Sequence, residues 1–430
     1  MISDQINYFT EANNLDENLQ SAFKKGHSTE TALVRVQNDI LCAIDNQEVV
    51  LMALLDLSAA FDTCNHAILL SRLKSDFGIS GSALAWFRSY LENRTQRVKI
   101  RDSLSDPVTL ETGFPQGSGW GPQAYSKYVG PLGNLLRLLE VLFHLFADDT
   151  QLWKTLDPNN LDTQITAIEK METSICDISA WMTTNKLKLN ETKTEFIMFG
   201  TPMQMKKMQY NSICVGGEGI RAKPYVRNLG VYFDSELKMT VHVSHVVKVG
   251  YFHLRQIRVI RKYLTVHATK TLIHAAVILR IDYSNALLYG ISENQLDRLQ
   301  KLQNCAARIV TTDSRSVSSI YILKRLHWLP IRAWIKFKIL LLSFKSINGT
   351  APIYLRELLT IQTSCRSTRL SDDGPRLFIP KSKLKFGGDR AFSNCAPRLW
   401  NALPKALRVV TTLVVFKKDL KTFLFKEYFD

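Results

Sequence analysis

Cysteine is scarce and unpatterned: seven residues among 430, at positions 42, 64, 176, 214, 305, 365 and 395, with no CxxC pair and no Cys/His cluster. That distribution indicates neither a zinc site nor a disulfide framework, and it predicts an intracellular protein of the nucleus or cytoplasm. Long hydrophobic runs are missing too. None approaches the roughly 20 residues that span a bilayer, and the N-terminus, MISDQINYFTEANN, is too polar and acidic for a signal peptide. No internal repeat or low-complexity tract interrupts the chain. Gly216-Gly217-Glu218-Gly219 lacks the Lys-Ser/Thr ending of a P-loop. Gly117-Ser118-Gly119 is not a GxSxG elbow. His242 and His245 lie one helical turn apart with no third ligand nearby, so they read as core or surface histidines. At 46% hydrophobic and 22% charged, the chain has the composition of a globular protein of two or three domains.

Acidic residues are short in the second half. Residues 1–203 carry 17 Lys+Arg against 25 Asp+Glu, a balance of −8, whereas residues 204–430 carry 38 against 14, or +24. A basic half joined to a carboxylate-bearing half points to a polyanionic partner, the alternative being a solubilising basic surface. The basic residues are not gathered on one amphipathic helix, so a membrane surface is not expected.

The acidic half holds the most informative stretch, Leu142–Leu152 (LFHLFADDTQL). Two apolar runs around an Asp-Asp pair predict a β-hairpin with Asp148 and Asp149 at its tip. A lone pair of this kind also suits a plain turn with two solvated aspartates. A second carboxylate site lies upstream: Val49–Leu57 (VVLMALLDL) is apolar on both faces, as in a buried central strand, and Asp56 stands at its end. An antiparallel sheet with these two elements adjacent would gather Asp56, Asp148 and Asp149. Three acidic oxygen ligands suit Mg²⁺, and a pair of such ions serves phosphoryl transfer by activating a hydroxyl and stabilising the leaving oxygen. With a basic nucleic-acid channel alongside, the chemistry is nucleotidyl transfer or phosphodiester hydrolysis. Phe61 could lie flat beneath a nucleotide sugar or simply pack in the core. The glycines at 117, 119 and 121 would let backbone approach a base or phosphate, or form an ordinary turn.

Around these residues the periodicity predicts helices over Ala67–Leu73, Ser82–Leu91 and Leu161–Leu187, one following Ser28 or Thr29 as cap, and one from Gln123. Strands are expected over Arg97–Ile100 and Val108–Thr112 around a turn, over Glu195–Gly200, and over Tyr225–Asp234 as a strand or short hairpin. Beyond residue 240 helices are expected at His242–Arg261, Thr269–Tyr289, Glu293–Thr311, Ser316–Leu326 and Ile331–Ile347. A basic tail containing Arg366, Arg369, Lys381, Lys383 and Lys385 ends in an amphipathic segment, Leu413–Phe429.

LLDLSAAFDT (54–63), GFPQGSGWGP (113–122), FADDTQL (146–152), NKLKLNETKTEFIMFG (185–200) and RNLGVYFD (227–234) stand in the order of reverse-transcriptase motifs A to E. The chain resembles the reverse transcriptase of a non-LTR (LINE-type) retrotransposon of the jockey-like group. QSAFKKGHSTETAL (20–33) resembles the segment before motif A in these elements. LHWLPIRAWIKFKILLLSFKSINGTAPIYL (326–355) and DRAFSNCAPRLWNALP (389–404) resemble their C-terminal region. The resemblance implies an α+β right-hand polymerase palm, an antiparallel sheet with packed helices, followed by a helical thumb and a basic C-terminal region. It implies segments 1–45 before motif A, 46–240 as palm, 241–347 as thumb and 348–430 as the basic region. Asp56, Asp148 and Asp149 are then the ligands of two Mg²⁺ ions, and Phe61 is a steric gate against ribonucleotides. Gln116 and Gly117 lie near the template and incoming base, and Lys193 helps protonate pyrophosphate. RNA template, DNA primer and deoxynucleoside triphosphates are the implied partners, with no protein partner identifiable.

Departures from the family pattern shape the expectation. The family normally carries fingers motifs before the segment matching Gln20 and an N-terminal endonuclease domain, and neither is expected in this chain. Gly119 and Trp120 replace two apolar residues of motif B, and Gln123, Ser126 and Lys127 enter a helix that is normally apolar. An RNA-directed DNA polymerase of impaired activity is therefore expected. The alternatives are a non-catalytic nucleic-acid-binding relic and a metal-dependent nuclease, the latter explaining neither Phe61 nor the motif order.

Overall fold

The computed structural model of the protein describes residues 2–58, 60–115, 117–362 and 374–430. Gln116, Arg366 and Arg369 therefore lie outside the described residues. Two compact units emerge, each discontinuous in sequence: Met1–His27, Leu51–Met198 and Met208–Lys223 form one, and Ser28–Val50, Phe199–Lys207 and Pro224–Asp430 the other. Both combine helices with antiparallel strands, the α+β class expected.

The strands are β1 (Val49–Leu55), the two-residue β2 (Thr95–Gln96), β3 (Lys99–Ile100), β4 (Ser103–Leu104) and β5 (Val108–Thr109), then β6 (Leu142–Phe146), β7 (Asp149–Leu156), β8 (Glu195–Phe199), β9 (Ser212–Val215), β10 (Glu218–Arg221), β11 (Tyr225–Asn228) and β12 (Val231–Asp234). The main sheet runs β6-β7-β1-β8. Its internal strand β1 is the one whose residues are apolar at nearly every position, because both of its faces are covered. β6 and β7 form the expected antiparallel hairpin, with Phe143 opposite Leu152 and Phe146 opposite Asp149. The strands expected at 97–100 and 108–112 do not pair with each other. β2 pairs with β5, while β3 and β4 close a tighter hairpin inside them. The hairpin β9–β10 lies where the sequence shows only a run of glycines unsuited to a phosphate loop; Gly216 and Gly217, both at positive φ, are its turn.

Helices α1 (Ile2–Ala12), α3 (His66–Ser75), α4 (Gly81–Leu91), α5 (Gly121–Val129), α6 (Leu132–Leu138) and α7 (Leu161–Thr184) belong to the first unit. Asn160 caps α7 by accepting from the Asp162 and Thr163 N–H groups. Met171, Ile175, Ile178 and Met182 of α7 are buried, and the helix packs on β7 and α6. The lysine that departs from the family pattern in α5 is compensated. Lys127 is only 3% exposed, with Nζ 2.9 Å from Asp16 Oδ1. Burial pushes the Asp16 carboxyl up, but the Lys127 and Lys24 ammoniums outweigh it and hold Asp16 below the usual carboxylate range.

In the second unit, α2 (Thr29–Asp45) starts at a capping box between Ser28 and Thr31. At its far end the buried Asp45 carboxylate accepts from the backbone N–H groups of Lys383, Leu384 and Gly388. Asn38 Oδ1 accepts from Ser393 N at 2.9 Å. The chain from 383 to 393 is thus fastened to a helix more than 300 residues earlier. Helices at Thr240–Ile260, Glu293–Thr311, Ser319–Leu326, Ile331–Ile347 and Leu413–Phe429 follow the expected pattern. The single helix expected over Thr269–Tyr289 is broken. It runs as Val266–Ile273, a π-helical turn at His274–Ile278 and Leu279–Asp282, then stops at Ser284, whose φ of 52° is left-handed. His242 is a core residue: it is 4% exposed, and Nδ1 faces the Tyr232 N–H at 3.5 Å. Among the described residues no helix is long and apolar enough to cross a membrane.

Two stability predictions follow from these anchors. Asp45→Asn removes charge from a buried acceptor of three backbone donors and should lower unfolding free energy by about 1–3 kcal/mol in urea denaturation. An unchanged midpoint would show that the anchor is dispensable. Burial, then His245, depresses the His242 pKa to about 4. Its folded value lies below its unfolded value near 6.5, so its contribution is complete above pH 6.5 and lost as pH falls towards 4. His242→Leu should flatten the pH dependence of stability in that window, measured by denaturant titration at successive pH values.

Candidate active site

β1 ends by presenting Asp56, and the chain around it is held from the 185–200 stretch. The Asp56 carbonyl accepts from Asn190 N at 2.9 Å, Ser58 N donates to the Lys188 carbonyl at 2.9 Å, and Leu57 bridges Leu189. Those ties carry Lys193 to the carboxylate, with Nζ 3.2 Å from Asp56 Oδ2. This oxygen is buried and accepts no hydrogen bond among the described residues. The ammonium is within ion-pair distance but off the hydrogen-bonding direction, so it neutralises charge without satisfying the oxygen.

The other two carboxylates come from the β6–β7 hairpin. Ala147 and Asp148 make its two-residue turn, between the paired Phe146 and Asp149. Ala147 has φ 54°, the positive value that a type II′ turn requires at its first position and that normally selects glycine. Asp148 is half-buried and Asp149 is the more exposed. Burial raises the Asp148 pKa, opposed by a backbone N–H and reinforced by the charge of Asp56. Asp149 is pushed up to about 6, by the packing around it first, then by Asp148 and Asp56. Solvent reaches its side chain, yet three like charges share its field. Residues 92 positions apart in sequence are therefore brought into one electrostatic cluster.

Two aromatic residues, one in motif A and one in the helix after motif B, stand beside this cluster. Phe61 stacks on Tyr125 of α5 at 4.5 Å and meets Phe23 edge-on at 6.3 Å. Tyr125 is fully buried, and its hydroxyl has no hydrogen-bond partner among the described residues. Burial, then the charges of Cys64, Asp148 and Asp149, raise its pKa well above 10. Sequence reasoning misses Tyr125, because the motif loop draws attention to its glycines and not to the first turns of the helix behind them.

The loop itself is docked beside Phe61. Gly113 N donates to the Cys64 carbonyl at 2.9 Å, and the Gly113 carbonyl meets His66 Nε2 at 2.7 Å. Gly113 has φ 80°, and a Cβ there would lie 3.0 Å from the Asp62 carbonyl oxygen, so only glycine fits. Gly117 also has positive φ and stands in open space. Ser118 Oγ accepts from Trp120 N and Gly121 N and bonds the Tyr90 hydroxyl. Trp120, one of the altered motif B residues, is buried in rings of Phe87, Tyr90 and Phe114.

The donor set fits a hard divalent cation: carboxylate oxygens, one of them buried and unsatisfied, two with raised pKa, and one lysine as the nearby positive charge. Among the described residues no three His, Cys, Asp or Glu side chains are closed around a common point. The three carboxylates share one electrostatic field without forming a closed ligand set among the described residues. Mg²⁺ should therefore raise the thermal midpoint of the wild-type protein, and Asp148→Asn should remove most of that shift. An equal shift in both would move the cation elsewhere.

A family described as reverse transcriptase (RNA-dependent DNA polymerase) matches residues 1–233. The chain is 26% identical over 321 residues to the "Probable RNA-directed DNA polymerase from transposon BS" of Drosophila melanogaster, covering 72% of this chain and 34% of that protein. It is 25% identical over 232 residues to the RNA-directed DNA polymerase from mobile element jockey of the same organism, covering 53% and 24%. The chain thus spans about a quarter to a third of the length of these curated relatives. Among solved structures, apo telomerase from Candida tropicalis aligns with TM-score 0.41 and 12% identity over 76% of this chain and 56% of its own. Telomerase from Candida albicans with a fragment of telomeric RNA aligns with TM-score 0.39 and 11% identity over 78% and 56%.

Proposed function

The chain belongs to the reverse transcriptase (RNA-dependent DNA polymerase) family, in its jockey-like non-LTR branch, and on that premise we propose that Asp56, Asp148 and Asp149 carry RNA-directed nucleotidyl transfer with Mg²⁺. The observation that carries this reading is the crowding of the three carboxylates, with Asp149 raised to about 6 by burial first and then by the charges of Asp148 and Asp56, and a buried Asp56 oxygen without a hydrogen bond among the described residues. Such a cluster is costly unless a cation offsets it.

In the proposed reaction a primer 3′ oxygen attacks the α-phosphorus of a deoxynucleoside triphosphate. The bond to pyrophosphate breaks, and the hydroxyl proton passes to solvent water. Two divalent cations held by Asp56, Asp148 and Asp149 would supply activation of the hydroxyl and stabilisation of the leaving oxygen. Phe61, backed by Tyr125, gives a stiff apolar platform beneath the sugar, where a 2′ hydroxyl would meet a ring. Gly117, with nothing within 4 Å of where a Cβ would stand, leaves room for backbone to approach template and base beside Gln116. Lys193, whose ammonium faces Asp56, is the proton donor to pyrophosphate. The excess of basic residues after position 203 suits the phosphates of an RNA template and DNA primer.

Primer extension on an RNA template with Mg²⁺ and deoxynucleotides tests the proposal. Wild type should extend the primer, and Asp148→Ala should fall by on the order of a hundredfold or more. No extension, with RNA binding intact and indifferent to Asp148→Ala, would leave a nucleic-acid-binding protein without polymerase chemistry.

A further inference from the structure

The segment just before α2 has no part in the chemistry above, yet it is built into the carboxylate hairpin. Leu19–Ser21 lies parallel to β6: Leu145 N donates to the Leu19 carbonyl and Ser21 N to the Leu145 carbonyl, both at 2.9 Å. Ser21 Oγ and His144 Nε2 are 2.8 Å apart in the interior. Between these ties Gln20 is buried, 1% exposed, and its side-chain amide reaches the turn. Gln20 Oε1 accepts from Ala147 N at 3.0 Å and from Ala22 N at 3.0 Å. Gln20 Nε2 faces the Ala147 carbonyl at 3.4 Å.

We propose that Gln20 is a positioning residue that clamps Ala147 in its left-handed conformation and thereby aims Asp148 and Asp149. Alanine at φ 54° is disfavoured by contact of its Cβ with the backbone, so such a turn persists only where its surroundings over-determine it. A primary amide offers an acceptor and a donor on a single plane at neighbouring atoms, matching the N–H and C=O of one residue. Glutamate would keep the acceptor and lose the donor, and asparagine is one methylene short. Because Asp148 directly follows Ala147 and Asp149 opens β7, rotation of the Ala147 peptide would swing both carboxylates. What they are aimed at rests on the metal reading proposed above. That they are aimed by Gln20 does not.

The test uses the near-isosteric Gln20→Met in the full chain, with the thermal midpoint as a check that it folds, alone and combined with Ala147→Gly. Glycine adopts positive φ without Cβ strain and should supply the turn geometry that the clamp otherwise enforces. In metal-free protein, hydrogen exchange of peptides covering 142–152 should accelerate in Gln20→Met, with those covering 212–221 unchanged. Mn²⁺ binding, followed by electron paramagnetic resonance, should weaken by about tenfold in Gln20→Met. In the double variant it should return to within about threefold of wild type. Exchange at 142–152 equal to wild type would overturn the inference, as would unaltered Mn²⁺ affinity in a variant whose turn had loosened, or no rescue by Ala147→Gly. Faster exchange at the turn in a protein whose wild type binds no Mn²⁺ would uphold the clamp and sink the metal reading instead.

Discussion

Repulsion among three carboxylates is the constraint that organises the first unit. Gathering like charges at partly buried positions costs free energy through both lost hydration and mutual repulsion. The raised pKa values of Asp148 and Asp149 are the direct sign of that cost. The surrounding elements are the means of meeting it. β1 is buried along its length and fixes the height of Asp56. The β6–β7 register fixes Asp148 and Asp149 at one turn. Backbone bonds from residues 188 and 190 set the chain on either side of Asp56 and bring the Lys193 ammonium with it. A scaffold that were merely compact would let the carboxylates separate; this one holds them in each other's field.

Much of that scaffold is legible in side-chain pattern alone. A strand apolar at every position, an Asp-Asp pair between apolar runs and a glycine- and proline-rich loop each have one-dimensional signatures, and each stands where those signatures put it. Properties that depend on partners distant in sequence are not legible. Lys127 looks out of place in an apolar helix until Asp16 is seen beside it. Nothing in α2 announces that Asp45 collects three backbone N–H groups from residues 383–388. The break in Thr269–Tyr289 is hidden because the apolar periodicity continues through a π-helical turn, which shifts phase by one residue without changing composition.

The site residues divide along the same line. Asp56, Asp148 and Asp149 can be picked out as charges beside apolar runs, and Phe61 and Lys193 by motif order. Tyr125 cannot, because a buried tyrosine behind a loop looks like core in any sequence. Only its position under Phe61, with an unsatisfied hydroxyl and the aspartate charges acting on it, marks it out. In motif B one of the residues that depart from the family pattern is packed into the interior. Trp120 is absorbed by Phe87, Tyr90 and Phe114, while Ser118 still bonds the backbone at the start of α5.

Charge supplies the last step of the synthesis. The first 203 residues carry −8 and the rest +24. An acidic cluster calls for small cations and a basic surface calls for polyanions, and neither demand identifies a ligand alone. A nucleic acid accompanied by divalent cations, the partner proposed above, would answer both demands, since such cations can bridge carboxylate to phosphate. A protein that bound polyanions only would gain nothing from three crowded carboxylates, which would repel the phosphates. Three crowded carboxylates beside a stacked aromatic pair are the arrangement that the cation-assisted transfer proposed above would use.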